Sequence, residues 1–402
     1  MIMKITTLRG PIMKKTLLAS SLMAAILSSH AQASDINFSG YGSIRGGLLV
    51  NDDITPQFFG YDDKVDFKNE SLFALQAKAN LNEKWNATIV LQARGEEDFD
   101  LEARWAYLNY QFSPETTISF GRFALPYFRN SDTQDIGYSH NYSRLPTSIY
   151  LGEEYDIIEG IRVMHSTFVG DGDITFKGSY GSFSGEVSGF GFELDNILQA
   201  SVDYTYEWFS IFAGVLSADA SVANQASFNN GLPEQLLGIG YKIENGMALN
   251  PSGVSVYDMD NLYADEDNAL YWSTGFTIDY ENWLLNAEYA AYDIDDSFVE
   301  ETQVMYFSVG YRFDKAVVTF VHQDYDTSYD YEQASSSDPF INSYIVGATD
   351  SIHKPDAYDA QGIHIRYDAD QGIAYKLEFS VINNDLADES ASLVTFGVDF
   401  IY

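Results

Sequence analysis

The last nine residues, Val394-Thr395-Phe396-Gly397-Val398-Asp399-Phe400-Ile401-Tyr402, decide how the rest of the chain is read. Val394, Phe396, Val398, Phe400 and Tyr402 fall on one parity, and Thr395, Gly397 and Asp399 fall on the other. A final strand that alternates this strictly and stops on an aromatic suits a transmembrane barrel. One face meets lipid, the other meets a wet lumen, and the terminal ring sits at the interface. A half-buried strand of a soluble sandwich alternates equally well, so the other end of the chain must arbitrate.

At that end, Met13-Lys14-Lys15 precedes an apolar run from Leu17 to Leu27 and then Ala31-Gln32-Ala33. A basic n-region, a short apolar h-region and an A-x-A site predict a secretory signal peptide over residues 1–33, with Met13 as the true start. No later stretch offers about 18 consecutive apolar residues, so no spanning helix is expected. An exported chain that alternates to its end crosses a membrane as a closed barrel, which satisfies every backbone group internally. The expectation is an all-β, antiparallel transmembrane barrel occupying residues 34–402 as one domain.

Composition fits. Cysteine is absent, so closure must come from backbone pairing. Tyr 29 and Phe 27 against Trp 5 supply enough rings for interfacial girdles. The predicted signal holds four of the basic residues, leaving 18 Lys and Arg against 59 Asp and Glu, a net charge of −41. So acidic a surface argues against nucleic acid or anionic lipid as a partner.

Segments of about ten alternating residues recur along the mature chain, joined by short polar turns at one end and long acidic loops at the other. Short turns read at Asn82-Glu83-Lys84, Ser113-Pro114-Glu115, Gly170-Asp171-Gly172, Glu281-Asn282, Asp314-Lys315 and Asp370-Gln371-Gly372. Long loops are expected near 51–69, 123–156, 182–193, 217–234, 258–269, 294–302, 325–359 and 383–391. The strand count is 18 if 247–257 spans the membrane through an Asn245-Gly246 hairpin, and 16 otherwise. Either size leaves an aqueous channel.

Nine basic residues fall on the lumen parity: Arg45, Lys78, Arg94, Arg162, Lys177, Lys242, Arg312, Arg366 and Lys376. Inward orientation alone carries little, because Arg or Lys at the lipid midplane costs about 2–4 kcal/mol. That an acidic chain sets so many of its few cations on the wall is more telling. The loop near 123–156 stands out too, being long and rich in tyrosine: Tyr127, Tyr138, Tyr142, Tyr150 and Tyr155, with Phe123 and Phe128. It is too apolar for a disordered segment, and the barrel interior is the nearest surface on which it could pack.

Signal peptide, aromatic-ended last strand and a long aromatic, acidic loop after the fifth strand resemble the trimeric porins of Gram-negative outer membranes. The resemblance implies that the third loop folds into the lumen and narrows it. It further implies loop acids, drawn from Asp132, Asp135, Glu153, Glu154 and Asp156, facing a wall cluster of Arg45, Lys78, Arg94 and Arg162, with Arg104 and Arg122 as further members. Tyr127, Tyr138, Tyr142 and Tyr150 would be the constriction aromatics. The loop signature P-E-F-G-G-D of the enterobacterial members is absent, and Tyr402 stands where Phe is usual. Expected partners are the bilayer, outer-leaflet lipopolysaccharide, two further copies in a homotrimer, and small hydrophilic solutes and ions, with no cofactor. The alternative is a channel selective for a sugar or other nutrient, with tyrosines as a stacking track.

An enzyme is disfavoured. His140, His165, His322, His353 and His364 lie in no G-x-S-x-G or H-E-x-x-H setting. Carboxylate runs such as Asp293-Ile294-Asp295-Asp296 show no calcium-loop spacing, so no metal site is expected. Adhesion through the outer loops could coexist with a pore.

Overall fold

A computed structural model of the chain describes residues 36–50, 60–150, 156–187, 190–223, 236–258, 266–295, 301–328, 336–343, 357–384 and 389–402. The signal-peptide expectation for 1–33 lies outside these residues. The strands are β1 (Ile36–Leu49), β2 (Leu72–Asn80), β3 (Trp85–Arg94), β4 (Leu101–Ser113), β5 (Thr116–Ala124), β6 (Ile157–Val169), β7 (Gly172–Val187), β8 (Phe190–Tyr206) and β9 (Phe209–Ala223). Three short ones follow, β10 (Lys242–Glu244), β11 (Met247–Leu249) and β12 (Ser255–Asp258). The series ends with β13 (Asp267–Tyr280), β14 (Trp283–Ile294), β15 (Glu301–Phe313), β16 (Ala316–Ser328), β17 (Ala357–Asp370), β18 (Ile373–Asn384) and β19 (Glu389–Ile401).

All but β10–β12 form a closed antiparallel barrel of 16 strands, in which β9 pairs β13 and β1 pairs β19. Alternation drives it. Along β18, Tyr375, Leu377 and Phe379 point outward at 45–52% exposure, while Lys376, Glu378 and Ser380 are buried inside. Rings cluster at the short-turn end, as in Trp208 with Tyr280 and Trp283 with Tyr311. Amphipathic rings in that position form an interfacial girdle.

The higher strand count fails for a geometric reason. Asn245 and Gly246 do make the positive-φ hairpin, at φ 52° and 78°, but between β10 and β11. Strands of three and four residues cannot cross a hydrocarbon core that needs about 9–11. They form a small separate sheet in the β9–β13 connection, and Lys242 stands exposed on it rather than in the lumen. Residues 182–193 are likewise not a long loop, because β7 and β8 stay paired out to Val187 and Phe190. A further short turn at Glu207-Trp208 carries no glycine or proline to announce it, and Glu207 takes φ 49°.

Closure is made at the last residue. Gly40 and Tyr402 exchange backbone hydrogen bonds of 2.9 and 3.0 Å, and the Tyr402 hydroxyl donates to the Ala74 carbonyl at 3.2 Å. The ring lies over Gly40, where an added Cβ would sit 2.2 Å from Tyr402 Cζ and 2.5 Å from the Ala74 oxygen. Gly40→Ala must therefore displace the ring or part the strands, a cost of about 1–3 kcal/mol. The expected outcome is a smaller heat-modifiable, folded fraction on electrophoresis. Wild-type assembly of this variant would show that the terminal ring contributes nothing to closure.

Candidate functional site: the inner loop

The described part of the connection between β5 and β6, residues 125–150, lies inside the barrel. Apolar and polar contacts both hold it there. Tyr127, Phe128 and Ile149 join Phe183, Leu194, Ile197, Leu216 and Tyr271 in one buried cluster on the inner wall. These wall residues are the inward-facing apolar positions of β7, β8, β9 and β13. That patch would be ruinous in a wet lumen if nothing covered it, and the loop aromatics cover it.

The polar contacts run round the wall. Gln199 on β8 donates to the Pro126 carbonyl at 2.7 Å, and Ser273 on β13 donates to that of Tyr127. Glu288 on β14 accepts the Arg129 backbone N–H at 3.0 Å and the Tyr150 hydroxyl at 2.5 Å. The Tyr142 hydroxyl meets Ser308 on β15 at 2.8 Å. Gln323 on β16 accepts from Thr147 and from the Ser148 N–H at 3.1 and 3.0 Å. Arg366 on β17 donates to the carbonyls of Tyr138 and His140 at 2.7 and 2.9 Å, and its guanidinium lies 4.9 Å from the Tyr138 ring centre. Lys376 on β18 donates to the Gly137 carbonyl at 2.6 Å.

The loop acids meet cations directly rather than across a gap. Asp132 is bound by Arg162 at 3.1 Å and Lys177 at 2.6 Å. Burial works against its charge, but Lys177 and Arg162 together hold its carboxyl below the usual range. Arg104 reaches Asp135 and Asp156, each at 2.9 Å. Burial also opposes charge on Asp135, and the Arg104 guanidinium outweighs it, holding that carboxyl low. At Asp156 burial wins, and its pKa is raised. Glu153 and Glu154 lie outside the described residues.

Arg104 owes its aim to an irregularity. The β3–β4 ladder shifts between Val90 and Leu91, which face Trp105 and Ala103, leaving Arg104 as the extra residue of a bulge. A bulge re-aims a side chain that strict alternation would send elsewhere. Of the remaining wall candidates, Arg45 binds Asp399 at 3.1 Å and Arg94 binds Glu96 at 3.0 Å. Arg122 binds Glu159 at 2.8 Å. Lys78 is not brought to the cluster. It stands exposed two residues from the end of β2, near the short turn.

Sequence reasoning missed the cations that the loop itself carries. Arg144 binds Glu70 through two bonds of 2.8 and 2.7 Å and lies 3.5 Å from Glu378, and Arg129 donates to Ser210 at 2.6 Å. It also missed the carboxylates Glu288, Glu378 and Asp399, all on lumen positions of strands whose parity was legible.

Above the loop, towards the long-loop end, lies a cavity of about 900 Å³. Arg45, Arg94, Arg104, Arg122 and Arg144 line it, together with Glu70, Glu96, Glu97, Glu102, Asp135 and Asp156. His140 lines it and donates from Nε2 to the Thr133 carbonyl at 2.8 Å, which fixes Nε2 as the protonated nitrogen of the neutral ring. Burial pushes its pKa from 6.5 down to about 4, with Lys376 and Arg366 adding to the shift. The folded protein thus binds fewer protons than the unfolded chain between these values. Loop anchoring is complete above pH 6.5 and weakens as pH falls towards 4. Open-channel noise should rise between pH 7 and 5, and His140→Gln, which keeps a donor without titrating, should flatten that rise. An equal rise in the variant would clear His140.

No family model matches the chain, and no curated protein does. Solved structures do. The outer membrane channel DcaP of Acinetobacter baumannii superposes with a TM-score of 0.55 at 13% identity, over 92% of this chain and 99% of its own. The anion-selective porin from Comamonas acidovorans gives 0.54 at 10%, over 92% and 100%. OmpT of Vibrio cholerae, folded in vitro and in a trimer form, gives 0.50 at 11%, over 91% and 99%. The fold is that of the outer-membrane porins.

Proposed function

We propose that the chain is a porin through which ions and small hydrophilic solutes diffuse passively, narrowed by the loop between β5 and β6. It is an outer-membrane β-barrel, and its neighbours are channels of Gram-negative outer membranes. The observation that carries the reading is the loop lashed round the lumen wall beneath a cavity lined by ionisable groups. Sixteen strands enclose more space than side chains fill, and fixed charges of both signs at a narrow place orient dipolar solutes and slow apolar ones.

The same geometry weakens the sugar-track alternative. Tyr127, Phe128 and Tyr142 are 3–6% exposed, the first two packed into the wall cluster and Tyr142 against Leu145 and Val321. The Tyr142 and Tyr150 hydroxyls are spent on Ser308 and Glu288. A stacking track needs accessible ring faces. Catalysis has little support. Thr116 lies 2.9 Å from His165 Nδ1, but among the described residues no carboxylate orients that ring. A homotrimer is the assembly that the fold favours, given the trimer form of the Vibrio cholerae neighbour.

The wall arginines set ion preference in this reading. Replacing Arg45, Arg94 and Arg162 together with Ala, alongside Lys78→Ala as a control away from the cavity, should move the reversal potential in a salt gradient towards cations. The control should move it least. Membranes that gain no conductance when the purified protein is added would end the channel reading.

A further inference from the structure

The cavity above the loop separates its charges by access. Arg45, Arg104 and Arg144 have side chains only 5–8% exposed and are already held by Asp399, Asp135, Asp156, Glu70 and Glu378. Arg94 and Arg122 are different, at 28% and 33%. Beside them stand Glu96 at 56%, Glu102 at 37% and the exposed Glu97, all on or next to the β3–β4 connection. Arg94 lies between Glu96 at 3.0 Å and Glu102 at 3.4 Å. A solute entering from this side meets two accessible guanidinium groups and three accessible carboxylates within one space.

Arg122 likewise holds Glu159 at 2.8 Å, so a solute carboxylate adds to or exchanges with pairs already made. The Nε–H groups of Arg45, Arg94 and Arg122 are buried with no hydrogen-bond partner among the described residues. Those Nε–H groups are out of a solute's reach, but a guanidinium offers five donors and suits a planar carboxylate, so the exposed parts of Arg94 and Arg122, at 28% and 33%, can receive an incoming one. A lone anion, however, must also face Glu96, Glu97 and Glu102, and a lone cation must face Arg94 and Arg122. A solute carrying both charges meets a partner at each end. Its volume is no obstacle, since about 900 Å³ is at the upper end of small-molecule sites.

We propose that this vestibule is a binding site for small zwitterions, α-amino acids and short peptides, with the carboxylate on Arg94 and Arg122 and the ammonium on Glu96, Glu97 and Glu102. The inference rests on the channel reading above and names the solute class of that channel. Binding is weak and exchange is fast, as conduction requires.

Proteoliposomes of the full chain test it, using four probes of matched size: L-alanine, propionate, propylammonium and neutral lactamide. Alanine uptake should saturate with concentration and exceed that of lactamide. Arg94→Gln and Glu97→Gln should each lower alanine uptake by about threefold to fivefold, the range of one exposed ionic contact, while changing lactamide uptake little. Glu97 makes no ion pair among the described residues, so its variant keeps the test sound if Arg94→Gln fails to fold. Alanine uptake that is linear in concentration and equal to lactamide overturns the inference. So does uptake of either singly charged probe above alanine. KCl conductance separates the two failures. If it persists while alanine shows no preference, the channel stands and only the zwitterion site falls; if it is absent, the channel reading itself falls.

Discussion

Deleting residues 129–150 raises single-channel conductance by about twofold or more, because the segment occupies lumen that the sixteen-stranded wall does not need for its own pairing. Each barrel strand keeps its ladder neighbours without the loop. The groups that lose loop partners, Glu288, Gln323, Arg366 and Lys376, then face water in a wider channel rather than an empty cavity. The shortened protein should stay heat-modifiable on electrophoresis. Only that combination, a folded barrel with larger steps in a planar bilayer, supports the constriction. A folded deletion variant with wild-type conductance would mean that ions pass by a route the loop does not narrow.

Arg104→Ala destabilises the protein by about 3–5 kcal/mol, since it strips the guanidinium from two carboxylates enclosed with it. Arg104 and Asp156 are each 4% exposed, so water cannot take over the bonds. Part of the loss should return when Asp135→Asn and Asp156→Asn are added, because the penalty is the unpaired charge rather than the missing contact. Urea unfolding of the three variants measures this. Equal stability of Arg104→Ala and wild type would show that the loop settles without its bulge-borne anchor. The pH dependence follows in sign. Asp135 has a lowered pKa, so its contribution is present above the ordinary carboxylate value near 3.8 and is lost as pH falls below that.

The barrel was legible because its rule is local. In β19 and β1 each residue declares its face by its neighbours, and the register Arg45 to Gly397 merely joins two faces already assigned. Six short turns were legible through Gly, Pro, Asn or Asp, whereas Glu207-Trp208 was not, because its strain is held by the ladder on both sides. Arg104 could be named by resemblance but not by parity, since a bulge is invisible to a period of two. Which wall cation meets which loop acid was beyond reach. Whether Asp135 faces a gap or touches Arg104 depends on where thirty residues of loop settle, and that is fixed by apolar contacts with β7–β9 and β13. Residues 247–257 misled because a hairpin signal gives the turn and not the strand length. Glu97, Arg144 and Glu70 carried no signal at all, being neither on a strand parity nor in a motif.

The seam has a consequence for the order of events in folding. Strand β19 follows the other barrel strands in the chain and must meet β1, so the barrel cannot close until all sixteen are made. One turn of the loop depends on that closure. Ser143 bonds Thr395 of β19 at 3.1 Å, and Gly137 lies beside Asp399 and Ser43, one from each side of the seam. One part of the receptor for the loop's middle, the Ser43–Asp399 pair beside Gly137, therefore exists only once the last pairing is made. Full seating of Gly137 waits for closure, while the anchors on β6–β9 and β13–β18 do not need the seam. Ser143 and Thr395 are 252 residues apart, so their contact forms slowly. A delay at Tyr402 leaves the Gly137 turn without its Ser43 and Asp399 neighbours together, in a barrel still open at one seam.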